Sequence, residues 1–195
     1  MKKILIAAAV GTLLVGQAMA QETPWLVRAR AVNLNMANND STGLGLTVND
    51  KTIPEVDVSY FFSKNVAAEL VLTVPQKQTV HSSVLAADVG TFKHLPPTLT
   101  LQYHFTDFAS FTPYVGAGVN YTNISSVNLG GVRLDHSSVG AAFQAGVDIP
   151  LDKHWSLNVD VKKVYIKTDV YSGASDLGTL KLDPVLFGVG VGYRF

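Results

Sequence analysis

Counted back from the last residue, Phe195, Tyr193, Val191, Val189, Phe187 and Val185 put an apolar side chain at every second position. Arg194, Gly192, Gly190 and Gly188 stand between them. A β-strand repeats every two residues, so this stretch has one greasy face and one small or polar face. A chain that repeats the pattern many times without long helical periodicity is confined to all-β architectures.

The pattern recurs. Near residues 24–34, Trp25, Val27, Ala29 and Ala31 alternate with Leu26, Arg28, Arg30 and Val32; near 52–62, Val56, Val58, Tyr60 and Phe62 alternate with Glu55, Asp57 and Ser59. Ala68, Leu70, Leu72 and Val74 oppose Glu69, Val71 and Thr73, and Leu99, Leu101, Tyr103 and Phe105 oppose Thr98, Thr100, Gln102 and His104. Val115, Ala117, Val119 and Tyr121 oppose Tyr114, Gly116, Gly118, Asn120 and Thr122. Val139 to Ile149 oppose Gly140 to Asp148, and Trp155, Leu157, Val159 and Val161 oppose Ser156, Asn158, Asp160 and Lys162. With the terminal stretch this makes eight strands, joined alternately by short turns (63–65, 106–110, 150–154) and by long loops. That asymmetry, and aromatic residues crowding the short-turn ends, is the pattern of an eight-stranded antiparallel transmembrane β-barrel with short periplasmic turns and long extracellular loops. A soluble barrel of the lipocalin kind is the alternative, with its greasy face turned inward.

Three further features favour the membrane. Met1-Lys2-Lys3, the apolar run Ile4 to Val15 and Ala18-Met19-Ala20 form a charged, apolar and small-residue sequence, read as a cleaved signal peptide over residues 1–20; residues 21–195 are then one barrel domain. Beyond it no apolar run approaches the roughly 20 residues that a spanning helix needs. The aromatic C-terminus suits recognition of Phe195 by barrel-assembly machinery. Cysteine is absent, which excludes disulfides, thiolate metal sites and cysteine nucleophiles, and the 15 basic residues only balance the 15 acidic ones, so no nucleic-acid surface is expected.

His94-Leu95-Pro96-Pro97-Thr98-Leu99, Pro113-Tyr114-Val115-Gly116-Ala117-Gly118-Val119-Asn120-Tyr121-Thr122, Leu182-Asp183-Pro184 and Gly192-Tyr193-Arg194-Phe195 resemble the outer membrane protein W family. The resemblance runs through nearly all of residues 21–195, with the first, third and fourth long loops least alike. It implies a monomeric eight-stranded barrel in a Gram-negative outer membrane, associated with passage of small hydrophobic molecules, some members serving as bacteriocin receptors.

With the greasy face toward lipid, the opposite residues line the interior. Toward the short turns these are Arg28, Arg30, Asp57, Glu69, His104, Asp148, Asp160 and Arg194, with Glu55 and Lys162 further along, a nearly balanced set expected to pair as a plug. Toward the loops they are Val32, Leu34, Ile53, Val71, Ala142, Val164, Ile166 and Leu186, a largely apolar lining. An apolar cup above a charged floor suits a greasy solute that enters from outside and cannot continue straight down; a barrel this narrow can equally be filled by its own side chains. Lys162 would polarise the cup at its base. Pro54, Pro75, Pro96 and Pro97 cluster at the loop ends of strands two to four, where they either end strands or weaken pairing enough for lateral exit into lipid. The second long loop carries Val80, Val84, Leu85, Val89 and Phe92, as a greasy lip or a flap over the mouth.

No enzyme, metal or cofactor is expected. The five histidines lack paired metal spacing, and Asp135-His136-Ser137, consecutive on an extended chain, cannot converge as a triad. The other function class left open is a structural or surface-recognition barrel whose loops bind host factors, phage or bacteriocins while the lumen stays filled.

Overall fold

The computed structural model describes residues 23–195; the segment read as a signal peptide, residues 1–20, lies outside the described residues. In chain order the strands are β1 (Trp25–Asn35), β2 (Asn39–Asp40), β3 (Leu46–Val48), β4 (Lys51–Phe61), β5 (Val66–Leu72), β6 (Gln76–Ser82), β7 (Ala87–Leu95) and β8 (Thr98–His104). There follow β9 (Thr112–Asn128), β10 (Val132–Leu134), β11 (Ser137–Pro150), β12 (Trp155–Val164), β13 (Lys167–Ser172), β14 (Ser175–Lys181) and β15 (Val185–Arg194).

Eight of these close a barrel in the order β1, β4, β5, β8, β9, β11, β12, β15 and back to β1, all antiparallel. They are the eight stretches whose alternation the sequence displays. Closure gives each of the eight strands a ladder partner on both sides, as a wall in hydrocarbon requires. On β8, Leu99, Leu101 and Tyr103 are exposed while Thr98, Thr100, Gln102 and His104 are buried, so the apolar face is the outer one. The same holds on β15, where Phe187, Val189 and Val191 look outward. That is the polarity of a lipid-facing barrel and the reverse of a lipocalin.

At the short-turn end the outward aromatics touch edge to face: Trp25 on Tyr60 (4.8 Å), Tyr60 on Phe62 (5.2 Å), Tyr103 on Phe105 (5.1 Å), and Trp155 and Phe195 on Tyr193 (both 4.9 Å). They form a girdle at one membrane interface. In the turn before β12 the Asp152 carboxylate accepts the backbone N–H groups of His154 and Trp155, both at 2.7 Å. These bonds hold its carboxyl below the usual carboxylate range.

The long connections depart from the sequence reading, because most of their length is strand. The second long loop, expected over residues 75–94, is mostly the β6–β7 hairpin, which β3 flanks on one side and the upper half of β9 on the other. β2, β10, β13 and β14 make a separate four-stranded sheet. Both prolong the wall beyond the lipid band. Their alternation is real, with Gln76, Gln78, Val80 and Ser82 buried between exposed Lys77 and His81. The buried face mixes amides with aliphatics and the outer face is polar, so no clean greasy stripe marks these strands. Of the second loop's apolar residues, Val80 and Phe92 turn inward and are fully buried, whereas Val84 and Leu85 are exposed near the hairpin end.

Candidate functional site

The barrel interior has two halves. In the lower one the strand register sets Arg28 opposite Asp57 and Arg30 opposite Glu55 across β1 and β4. Arg28 holds Asp148 with two bonds (Nε–Oδ1 3.2 Å, Nη2–Oδ2 2.7 Å) and reaches Asp57 at 3.1 Å, Ser59 at 3.1 Å and Glu69 at 3.3 Å through Nη1. Its guanidinium also lies 5.3 Å from the Tyr114 ring centroid. Arg30 meets Asp57 at 2.7 Å, Glu55 at 3.0 Å, Glu69 at 3.4 Å and Asp160 at 3.6 Å. Lys162 lies 3.5 Å from Glu69 and 3.8 Å from Glu55.

In this network Arg28, Arg30 and Lys162 serve five carboxylates, Glu55, Asp57, Glu69, Asp148 and Asp160. Neutral donors supply the difference. Tyr114 Oη donates to Asp160 at 2.8 Å, Gln144 Nε2 donates to Glu69 (3.0 Å) and Asp160 (2.8 Å), and Asn158 Nδ2 donates to Asp148 (2.9 Å). Alternation places these three residues inward, but their roles depend on height in a tilted barrel, which alternation leaves undetermined. Glycines make the room. A Cβ on Gly190 would stand 2.7 Å from Arg30 Cγ, and one on Gly146 would meet the Tyr114 ring.

The other residues assigned to the plug sit below this network. His104 stacks on Tyr114 (4.9 Å between centroids) and shares a 3.0 Å hydrogen bond with Gln102, while Arg194 places its guanidinium 4.1 Å from the Phe61 centroid. Glu69 and Asp148 are held by Arg28, Arg30 and Lys162.

In the upper half Val32, Leu34, Ile53, Val71, Ala142, Val164, Ile166 and Leu186 are all buried. Seven of the eight join one apolar cluster that continues into the hairpins through Leu46, Val80, Phe92, Ile124, Leu134, Val170, Leu180 and Leu182. Most of that continuation comes from strands of the long connections, which the sequence reading missed. A cavity of about 20 Å³ remains at the junction of the halves, room for about one water. Leu34, Ile53, Val71, Pro96, Val164 and Leu186 line it, with Glu55 and Lys162 at its floor, so Lys162 does reach the base of the cup. In this conformation the lumen is filled by side chains. Gln78 and His94, buried in the hairpin part, have no hydrogen-bond partner for any of their side-chain nitrogens or oxygens, and His94 borders the cavity.

The wall beside the cavity is interrupted. The β4–β5 ladder ends at Val56 and Leu72 and the β5–β8 ladder at Val71 and Thr98, while β6 and β7 begin pairing only at Gln76 and His94. No ladder joins residues 73–75 to 95–97. Pro75, Pro96 and Pro97 occupy that interval, and Pro54 borders it from β4, its carbonyl accepting the Thr73 hydroxyl at 3.3 Å.

A closed eight-stranded barrel with a lipid-facing apolar belt, an aromatic girdle and a charged interior is an outer-membrane barrel protein. The OmpW family model matches residues 11–195, and the chain belongs to that family. It is 43% identical to the uncharacterized outer-membrane protein y4mB of Sinorhizobium fredii, over 89% of this chain and 80% of that one. It is 34% identical to outer membrane protein W of Escherichia coli over the whole of both chains. The dibenzothiophene metabolism operon protein PahQ of Pseudomonas aeruginosa is 27% identical over 90% of each chain. Among solved structures, that of OprG from Pseudomonas aeruginosa superposes with a TM-score of 0.77 at 26% identity, covering 90% of this chain and 97% of that one. The chain is accordingly a protein of the outer membrane, of a family and fold that are barrels rather than typical enzymes.

Proposed function

We propose that this barrel conducts small hydrophobic molecules from the cell exterior into the outer membrane. The observation that carries the reading is the apolar upper interior, which ends on a charge-packed floor and adjoins an interruption in the wall. A greasy solute is stabilised in the upper half, is refused by the ionic network below, and leaves sideways between β5 and β8 past Pro75, Pro96 and Pro97, with Pro54 at the margin. Since about 20 Å³ is free, entry requires the β6–β7 hairpin and its apolar contacts to part, a motion of the microsecond-to-millisecond class. A relative named for a dibenzothiophene metabolism operon supports the choice of solute, dibenzothiophene being a fused apolar ring system.

In this reading the chain is exported by removal of residues 1–20, is inserted as a monomer by assembly machinery that reads Phe195, surrounds itself with lipid, and performs no covalent chemistry. The test is uptake of a hydrophobic dye into proteoliposomes by a Pro96→Ala/Pro97→Ala variant that still folds. Slower uptake supports lateral exit; unchanged uptake sinks it.

A second reading has its own support. Val127, Val132, Arg133, Asp135, His136 and Tyr171 border an extracellular recess of about 500 Å³, with Arg133 stacked 5.8 Å from the Tyr171 centroid. Such a concave mixed surface suits recognition of a bacteriocin, phage or host factor. Replacing Arg133 and Tyr171 by alanine removes that activity while hydrophobic uptake persists; loss of uptake as well would merge the two readings.

A further inference from the structure

Five lysines, Lys77, Lys93, Lys163, Lys167 and Lys181, lie along the outer face where the lipid band gives way to the extracellular wall. About ten residues of a tilted strand cross a bilayer's apolar core. Counted from the girdle residue Trp155, that length of chain ends at Lys163 and Tyr165; counted from Tyr103 on the neighbouring hairpin, it ends at Lys93. Two pairs at or just above this level stand directly opposite each other across a ladder, Lys77 with Lys93 on β6–β7 and Lys167 with Lys181 on β13–β14, and all four are exposed. Like charges directly opposite on one face of a ladder destabilise it. Here the arrangement occurs twice, on opposite sides of the barrel.

Nothing within the described residues neutralises these pairs. No carboxylate lies within ion-pair distance of Lys77, Lys93, Lys167 or Lys181. The acids close by in the chain are engaged elsewhere: Asp50 accepts the Met36 N–H, Asp169 the Thr179 hydroxyl and Asp183 the Ile166 N–H. Beside the second pair, Lys163 donates to the Asp183 carbonyl, two residues beyond Lys181. Two lysine pairs, one with Lys163 close by, therefore sit at the outer headgroup level with no described carboxylate in ion-pair contact.

We propose that each lysine pair binds the phosphate groups of an anionic glycolipid in the outer leaflet, Lys77/Lys93 on one side and Lys167/Lys181 with Lys163 on the other. The ligand is a membrane component rather than a dissolved anion, because both pairs border the lipid-facing belt. A phosphate between two lysines turns a repulsive cross-strand pair into a bridge and fastens each hairpin to the membrane surface. The proposal is independent of whether the lumen conducts.

The test uses the full barrel in nanodiscs of uncharged phosphatidylcholine, titrated with fluorescent lipopolysaccharide and with the same lipid after removal of its phosphates. Two phosphate-dependent sites are expected per barrel, one lost in K77Q/K93Q, one in K167Q/K181Q and both in the fourfold variant. Each lysine contributes about fivefold in affinity. In the wild-type protein the intact lipid also shields the four lysines from acetylation, a readout that needs no variant to fold. The proposal is overturned if stoichiometry is unchanged in the variants, if the dephosphorylated lipid binds equally, or if inorganic phosphate alone shields the lysines as well. It is overturned too if K64Q/K153Q, on the periplasmic turns, lowers binding to the same degree.

Discussion

Arg28→Met removes the centre of the ionic floor while keeping an unbranched side chain in its place. Five polar contacts vanish, two to Asp148 and one each to Asp57, Ser59 and Glu69. Their cost is unequal. Asp57 and Glu69 keep Arg30 at 2.7 and 3.4 Å, whereas Asp148 loses its two bonds to Arg28 and retains the Asn158 amide at 2.9 Å. Breaking a buried pair by removing one partner costs about 3–5 kcal/mol, chiefly because the remaining charge is buried uncompensated. The expected loss for Arg28→Met is therefore about 3 kcal/mol, of which Arg28→Met/Asp148→Asn restores about half by removing the stranded charge. Urea unfolding in lipid vesicles, followed by the gel mobility shift of folded barrels, measures both. An Arg28→Met barrel within about 1 kcal/mol of the parent would refute the reasoning, since it would mean that water reaches Asp148 and the floor is not sealed.

Other substitutions bear on the same interior. Gly146→Ala drives a methyl into the Tyr114 ring and is expected to cost about 1–3 kcal/mol in the same unfolding assay. Gln78→Leu removes a buried amide without partners and is expected to leave stability unchanged or raise it by about 1–2 kcal/mol; destabilisation would show that a bound water satisfies the amide. Lys162→Met combined with Glu55→Gln takes the charges from the cavity floor, and faster dye uptake by proteoliposomes is expected; an unchanged rate would mean that this pair does not limit passage.

Which faces of the eight barrel strands meet lipid could be read from the chain because a strand repeats every two residues and every outward position had to be greasy. Arg28 and Arg30 were legible as interior by the same rule, and so were the eight apolar lining residues. Height was not. Arg28 and Asp148 are 120 positions apart and meet only because the staggered register of eight tilted strands brings β1 and β11 to one level. The hairpins above the membrane were illegible for another reason. Their outer faces are polar, their inner faces mix Gln78 and His94 with Val80 and Phe92, and irregularities interrupt the alternation, as at the register shift between Val80 and His81 opposite Gly90, whose φ is +146°. The same polarity switch hid the continuation of the apolar interior and the paired lysines on its outside.

The conduit reading depends most directly on the apolar lining of the upper interior. Val71 is 3% exposed, borders both the cavity and the interrupted wall, and is replaced by lysine in the decisive comparison. The measurement is the initial rate at which a fused-ring aromatic dye enters proteoliposomes carrying equal amounts of folded parent or Val71→Lys barrel. A charge in the lining is expected to cut the protein-dependent rate at least about tenfold, the effect of roughly 1.4 kcal/mol on the barrier. An undiminished rate in a folded Val71→Lys barrel would contradict passage through the upper lumen.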